Sequence, residues 1–227
     1  MSRRSFLVGV GVFSVLIVGF LGGLWLLLRY EPRFYTRLCA PQEHRTLNSQ
    51  QFYKTSSSLF SQIEEGGGFS ATFTEEQVNG YLSEGVHKAG LGDKLFPEGV
   101  HEPRLAFEPE HIRLAFRYRS TFVNTVISVS LKAWLPGNES NLLALQLETF
   151  KAGLIPISAQ WLLEQVSEIG RINGVEVNWY RYEGKPVALL RFQADRAKPN
   201  LSLKRLFLDA QTFTIQGDSV EARPGIR

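Results

Sequence analysis

The residues of this chain best suited to chemistry cluster around one turn. Glu108, Glu110 and His111 fall within four positions, and His101 opens the stretch before them. Carboxylate and imidazole together can hold a divalent metal, since both present lone pairs to it. Closed ligand sets normally show clearer spacing, and a solvated hairpin tip is the plainer reading of charges around Pro109-Glu110. His44 and His87 are scattered, and Cys39 is the single cysteine. The sequence contains no H-E-x-x-H, C-x-x-C, G-x-S-x-G, P-loop or dinucleotide fingerprint. No nucleophile can be matched with a base, so neither an enzyme nor a cofactor is expected.

Composition narrows the classes further. The 227 residues are 44% hydrophobic and 21% charged, which suits one globular domain plus an attachment. Net charge is +3, of which Arg3 and Arg4 supply two. No basic stripe stands out, so nucleic acid is not an expected partner. One cysteine permits no intrachain disulfide, and the fold must rest on its core.

The attachment is the run Phe6 to Leu28, which carries no charge. About 23 helical residues suffice to cross a hydrocarbon core of ~30 Å. A signal peptide would have a shorter apolar region and a small-residue cleavage site, whereas Trp25 to Leu28 run straight into Arg29. Residues 1–30 are therefore read as a short cytoplasmic tail and a retained transmembrane helix, and residues 31–45, with Pro32 and Pro41, as a juxtamembrane linker. Arginines flank the span on both sides, but a very short basic tail before a long domain reads as a signal anchor. The expectation is a single-pass protein of the cell or inner membrane with an extracytoplasmic domain. Trp25, Tyr30, Phe34 and Tyr35 suit the headgroup layer. Gly19 and Gly23 form a G-x-x-x-G pair that offers a homodimer contact, although such pairs are also ordinary in membrane helices.

Beyond the linker the pattern is mixed α and β. Thr46 to Glu65 has helical spacing, ended by Gly66-Gly67-Gly68, and Phe69 to Phe73 alternates like a strand. Thr74 supplies an N-cap, Gln77 closes a capping box, and Glu75 and Glu76 suit the positive end of the helix dipole. From Pro103 the chain reads as β. Val123, Ile127, Val129 and Leu131 share one parity, and Phe122, Val126 and Trp134 the other. In the next strand Leu143, Leu145 and Leu147 are set against Leu142, Ala144 and Phe150. Strands apolar on both faces must be covered twice. Ser158 can cap a helix to about Arg171, with Trp161, Leu162, Val166 and Ile169 as its stripe. Glu183-Gly184-Lys185 signals a hairpin, and one or two further strands precede a polar tail.

Two of these segments carry a family resemblance. FSATFTEEQVNGYL, Phe69 to Leu82, resembles the strand-then-helix opening of the YpmS-like bacterial membrane proteins. FKAGLIPISAQWLLEQV, Phe150 to Val166, resembles their later glycine–leucine–proline bend into a helix. That family is similar to tubular lipid-binding domains, in which a long curved antiparallel sheet wraps a helix and leaves an apolar groove. The resemblance implies that fold and a lipid ligand, and it transfers no active residue. The expected fold class is α+β: an N-terminal transmembrane helix, then a long curved antiparallel sheet packed on one or two helices over residues 46–218, with 219–227 as a flexible tail.

The expected function is a non-catalytic envelope protein whose domain binds or shields a lipid or other apolar ligand. Candidate groove-lining residues are Phe122, Val126, Trp134, Leu142, Phe150, Trp161, Leu162, Val166 and Ile169. The alternative is a structural or interaction module with a dry core that docks onto an envelope or secretion partner.

Overall fold

The computed structural model describes residues 3–39, 44–88, 90, 96, 98–137, 141–172, 175–192 and 201–219; for residues 3–12, His87 and Trp161 it describes the backbone alone. Helix α1 (Arg3–Leu28) is followed by α2 (Arg33–Cys39), α3 (Arg45–Glu65) and strand β1 (Gly67–Thr74). Thr74 then caps α4 (Glu75–Gly80) through the expected box: its hydroxyl accepts from the Gln77 amide, and the Gln77 side chain accepts from the Thr74 amide. A π-helical turn, Tyr81–Gly85, carries α4 into the short α5 (Val86–Lys88). Gly80 looks like a weak point in the sequence, yet any β-carbon there would lie 2.9 Å from Asn48 Cβ and from the Ser49 amide nitrogen. The glycine lets α3 and α4 cross at backbone contact.

The larger sheet is antiparallel and seven-stranded, in the order β2-β3-β4-β5-β8-β7, with β6 added to β5. Its members are β2 (Val100–Glu108), β3 (His111–Arg119), β4 (Asn124–Trp134), β5 (Leu142–Ala152), β6 (Ile155–Pro156), β7 (Glu176–Tyr182) and β8 (Lys185–Arg191). Helix α6 (Gln160–Ile172) lies between β6 and β7 in the chain. The β7–β8 turn is built on Glu183 and Gly184 at φ 50° and 77°, the doubly left-handed geometry that matches strand twist. A second sheet has three strands, β1-β10-β9, made by β9 (Leu201–Asp209) and β10 (Thr212–Ser219) closing on β1. The fold is α+β with a large antiparallel sheet and several helices.

Alternation gives the large sheet two distinct faces. One, the inner face, buries Phe116, Ile127, Val129, Leu147, Phe150 and Ala152, with Leu162 of α6 and Leu28 of α1 packed against them. It continues into Phe107 and Ala133, which are covered by Leu208, Leu206 and Phe213 of the second sheet and Val78 of α4. The outer face presents small residues, Ala106, Ala115 and Val126, and so lets α2 settle closely with Phe34, Tyr35 and Leu38.

Several expectations change here. Within the expected linker, Arg33–Cys39 form α2, a core element, because each of its three buried side chains gains about 1.5–3 kcal/mol on leaving water; residues 40–43 lie outside the described ones. Phe34 and Tyr35, expected at the headgroup layer, are buried against the sheet. Ser219, expected in the flexible tail, pairs with Gly67 and is buried; residues 220–227 lie outside the described ones. Phe150 changes side. Thr149 pairs with Ser130 but Leu147 pairs with Leu131, so Glu148 is an extra residue and the bulge turns Phe150 onto the face of Leu147.

Helix α1 has 26 residues. Among residues with described side chains, no single helix is long and apolar enough to cross a membrane, and the pair Phe13–Leu28 and Arg33–Cys39, bent by 51°, meets the criterion only jointly. Since α2 is committed to the sheet, α1 alone stands away from the domain.

Candidate functional site

The junction between α1 and the sheet is built from backbone as much as side chain. The last carbonyls of a helix have no partner within it. Here the Leu27 carbonyl accepts from the Leu154 amide at 3.0 Å, and the Leu28 carbonyl accepts from the Thr125 hydroxyl at 2.5 Å. Gly153, at φ 59°, has no room for a side chain, because a β-carbon would collide with the Leu27 carbonyl oxygen. Its own amide donates to the Val126 carbonyl at 2.8 Å. The glycine–leucine–proline bend thus has a physical purpose: it is the socket for the end of α1.

Ion pairs and buried polar groups tie down the segment that follows. Arg117 reaches Glu31 at 2.7 Å and Glu102 at 3.6 Å. Burial works against its charge, but those carboxylates outweigh it and hold its pKa above the ordinary value. The Tyr35 hydroxyl donates to the Glu102 carbonyl, and burial, reinforced by Cys39, pushes its pKa upward, so it remains neutral. Buried Arg104 donates to the Leu38 carbonyl at 3.2 Å, closing the last turn of α2. Arg113 stacks over Phe34 at 4.2 Å.

A second polar node links α4 to β2. Asn79 donates to the Leu105 carbonyl at 2.7 Å and accepts from the Leu105 amide at 2.8 Å, so one side chain imitates a neighbouring strand. Glu75 pairs with Arg37 at 2.9 Å and accepts from the Phe107 amide. Its pKa is nevertheless raised, because burial outweighs both partners. In the sequence Glu75 stands out as a dipole partner and Asn79 as the helical asparagine of the resembling segment, but nothing local gives Asn79, Arg104 or Thr125 their partners, which lie 26, 66 and 97 residues distant.

The turn suspected of holding a metal spends its charges on neighbours. Glu108 pairs with Arg113 and Glu110 with Lys132, both at 2.9 Å. The hydrogen bond from Lys132, then its charge, lowers the Glu110 pKa. His111 Nδ1 lies 3.0 Å from the Pro109 carbonyl oxygen, and His101 is seven residues along β2 from Glu108, about 23 Å at strand rise. Among the described residues no group of three or more His, Cys, Asp or Glu is placed to hold a metal.

The groove-lining candidates divide between the faces. Val126, Trp134 and Leu142 belong to the outer face: Trp134 pairs with Ala144, which shares parity with Leu142. Val126 is buried beneath α2. Phe150 and Leu162 meet on the inner face. Val166 is half-buried and Ile169 exposed on α6; the side chain of Trp161 lies outside the described residues. Phe122 belongs to neither set: it stands on the β3–β4 loop, 95% exposed. Among the described residues no single groove unites these candidates. Trp134 instead borders an open hollow of about 620 Å³ on the outer face, with Tyr180 and Tyr182 across from it, Gln146 in the lining, and Lys132, Lys185, Glu148 and Glu183 around it. A β-carbon added at Gly19 or Gly23 would meet nothing within 4 Å, so both glycines face open space.

Comparison of the chain with protein-family models, curated proteins and solved structures finds no match.

Proposed function

We propose that this is a single-pass, membrane-anchored envelope protein whose α+β domain is held rigidly at the bilayer surface as a non-catalytic docking module. The observation that supports it is α1. Its 26 residues span about 39 Å as a helix. From Phe13 to Leu27 its large apolar side chains are exposed around the whole circumference, including Phe13, Leu16, Val18, Phe20, Leu21, Trp25 and Leu26. A helix apolar on every side requires burial on every side, and from Phe13 to Leu27 no side is covered by the described residues. Trp25, with Arg29 stacked 4.1 Å from its ring centre, and Tyr30 suit the polar boundary of such a span. We place the domain outside, with Arg3 and Arg4 read as the cytoplasmic flank of the span.

Docking is favoured over carriage of an acyl chain because the described apolar clusters of the sheet are packed against α2, Leu162 of α6 and the second sheet. The hollow beside Trp134 is open and ringed by charge, which suits a polar partner surface. Alkaline carbonate extraction of membranes holding the full chain tests the anchor: retention in the pellet is expected, and release to the supernatant contradicts it. Sidedness is read with Ala210→Cys in a Cys39→Ala background, because Cys39 is partly buried against α2's core and reports poorly. Modification by an impermeant maleimide on intact cells is expected; modification only after permeabilisation reverses the orientation. Native mass spectrometry finding stoichiometric lipid on the purified chain would return the acyl-chain reading to first place.

A further inference from the structure

The sheet end that receives α1 carries apolar side chains that the fold leaves in the open. Phe122 is 95% exposed, and Val123 and Leu154 are also exposed. Single exposed apolar residues are ordinary and need no explanation. These differ in being grouped and in being fixed. The Ser120 amide donates to the Val123 carbonyl at 2.8 Å, and the Val123 amide donates to the Ser120 hydroxyl at 3.2 Å, which closes the loop and presents Phe122 on a defined tip. Three residues on, Thr125 holds the Leu28 carbonyl, and Leu154 itself holds that of Leu27. Three residues of extended chain reach at most about 10 Å, so Phe122 stands beside the point where α1 leaves the domain. Exposed Arg29, Arg33 and Arg119 belong to the same end. Three acids share this end: Glu31 and Glu102 are both engaged by Arg117, at 2.7 and 3.6 Å, and exposed Glu98 adjoins Gly99, whose carbonyl accepts from the Arg119 amide.

We propose that Phe122, Val123 and Leu154 form a wedge that inserts into the headgroup–acyl boundary of the bilayer crossed by α1, with Arg29, Arg33 and Arg119 set against anionic lipid phosphates around it. The proposal rests on the reading of α1 as a span. The bilayer is the occupant that fits, because the patch is continuous with the apolar surface of α1 at the end where Arg29 marks the headgroup level. Aromatic and aliphatic side chains flanked by arginine are the composition that settles about 5–10 Å into that boundary. The domain would then be held by two contacts, one crossing the membrane and one resting on it, and would be fixed in tilt as well as position.

The test uses the full chain with Cys39→Ala, reconstituted in phosphatidylcholine vesicles with and without phosphatidylserine. A single cysteine at Phe122→Cys, Leu154→Cys, Leu21→Cys or Ala210→Cys carries an environment-sensitive fluorophore. Lipids bearing a nitroxide high or low on the acyl chain serve as quenchers. The expected result is that the Phe122 and Leu154 labels are quenched about twofold or more by the shallow nitroxide, as an interfacial depth requires. The Leu21 label should respond to the deep nitroxide, the Ala210 label to neither, and phosphatidylserine should increase the shallow quenching. Quenching at Leu21 with none at Phe122 and Leu154 overturns the wedge and leaves the anchor standing. No quenching at Leu21 overturns both. A Phe122 emission shift that lipid nitroxides do not quench, and that fades as protein is diluted in the bilayer, assigns the patch to a second copy of the chain and overturns the proposal.

Discussion

The two ends of the large sheet follow opposite rules. At the end that receives α1, backbone carbonyls are met by a hydroxyl and an amide from distant strands, and Phe122, Val123 and Leu154 stand uncovered. At the other end, the β2–β3 turn neutralises Glu108 and Glu110 with Arg113 and Lys132, and the second sheet covers Phe107. Charge paired at the surface with apolar groups beneath it is what water requires. Apolar groups left outside, beside an apolar helix, are what a bilayer allows. The contrast is what the proposed anchor requires of the two ends.

Substitutions can break or sharpen that contrast. The largest expected effect separates two phenylalanines. Phe150→Ala removes a 6% exposed ring from the inner face and should cost about 3–5 kcal/mol. Phe122→Ala should change the stability of the detergent-solubilised chain by no more than about 0.5 kcal/mol, the usual range for surface positions. Chemical denaturation compares them, and equal losses would erase the distinction between buried and presented rings. Next, Gly153→Ala meets the Leu27 carbonyl at a left-handed φ and should cost roughly 2–3 kcal/mol, lowering the melting temperature by about 4–12 °C for a chain of this size. Gly137→Ala, with open space around it, is the paired control and should be near neutral.

Asn79→Ala leaves the amide and carbonyl of Leu105 without their partner and should cost about 2–3 kcal/mol, read from the unfolding midpoint. A smaller, pH-dependent effect comes from Glu75. Its folded pKa lies above the unfolded value, so the folded state holds the proton more tightly. This group therefore favours folding at low pH, and its contribution declines as pH rises from the ordinary carboxylate value through the raised one. Glu75→Gln should flatten stability against pH in that window, and an unchanged slope would show that Arg37 fully compensates the burial. Thr125→Val is the mildest, about 1 kcal/mol for one hydroxyl donor, with its effect concentrated at the base of α1.

Local grammar is readable in the sequence and long-range pairing is not. The capping box at Thr74 and the Glu183-Gly184 hairpin involve neighbours in sequence, so residue type alone specifies them. The bulge at Glu148 is invisible to a period of two, and one inserted residue carries Phe150 from the expected groove set to the opposite face. Helix α2 is hidden because seven residues between prolines give too short a window for periodicity, while its burial depends on the small side chains of Ala106 and Ala115 some 70–80 residues onward. The socket for α1 cannot be read at all, since glycine before leucine and proline says that the chain bends and not what the bend receives. The groove candidates rest on hydrophobicity and parity, and those two properties cannot tell a ring packed in a core from one set out at a surface.

The central claim is that α1 is seated in the domain and is not a loose tether. The Leu154 amide reports on it directly, since its partner is the Leu27 carbonyl. Hydrogen exchange of that amide, measured on the full chain in lipid nanodiscs, is expected to be slowed about a hundredfold or more, as for a hydrogen bond broken only by local unfolding. Exchange of Leu154 at the rate of an unstructured peptide, while the inner-face strands stay protected, would mean that helix and domain move independently.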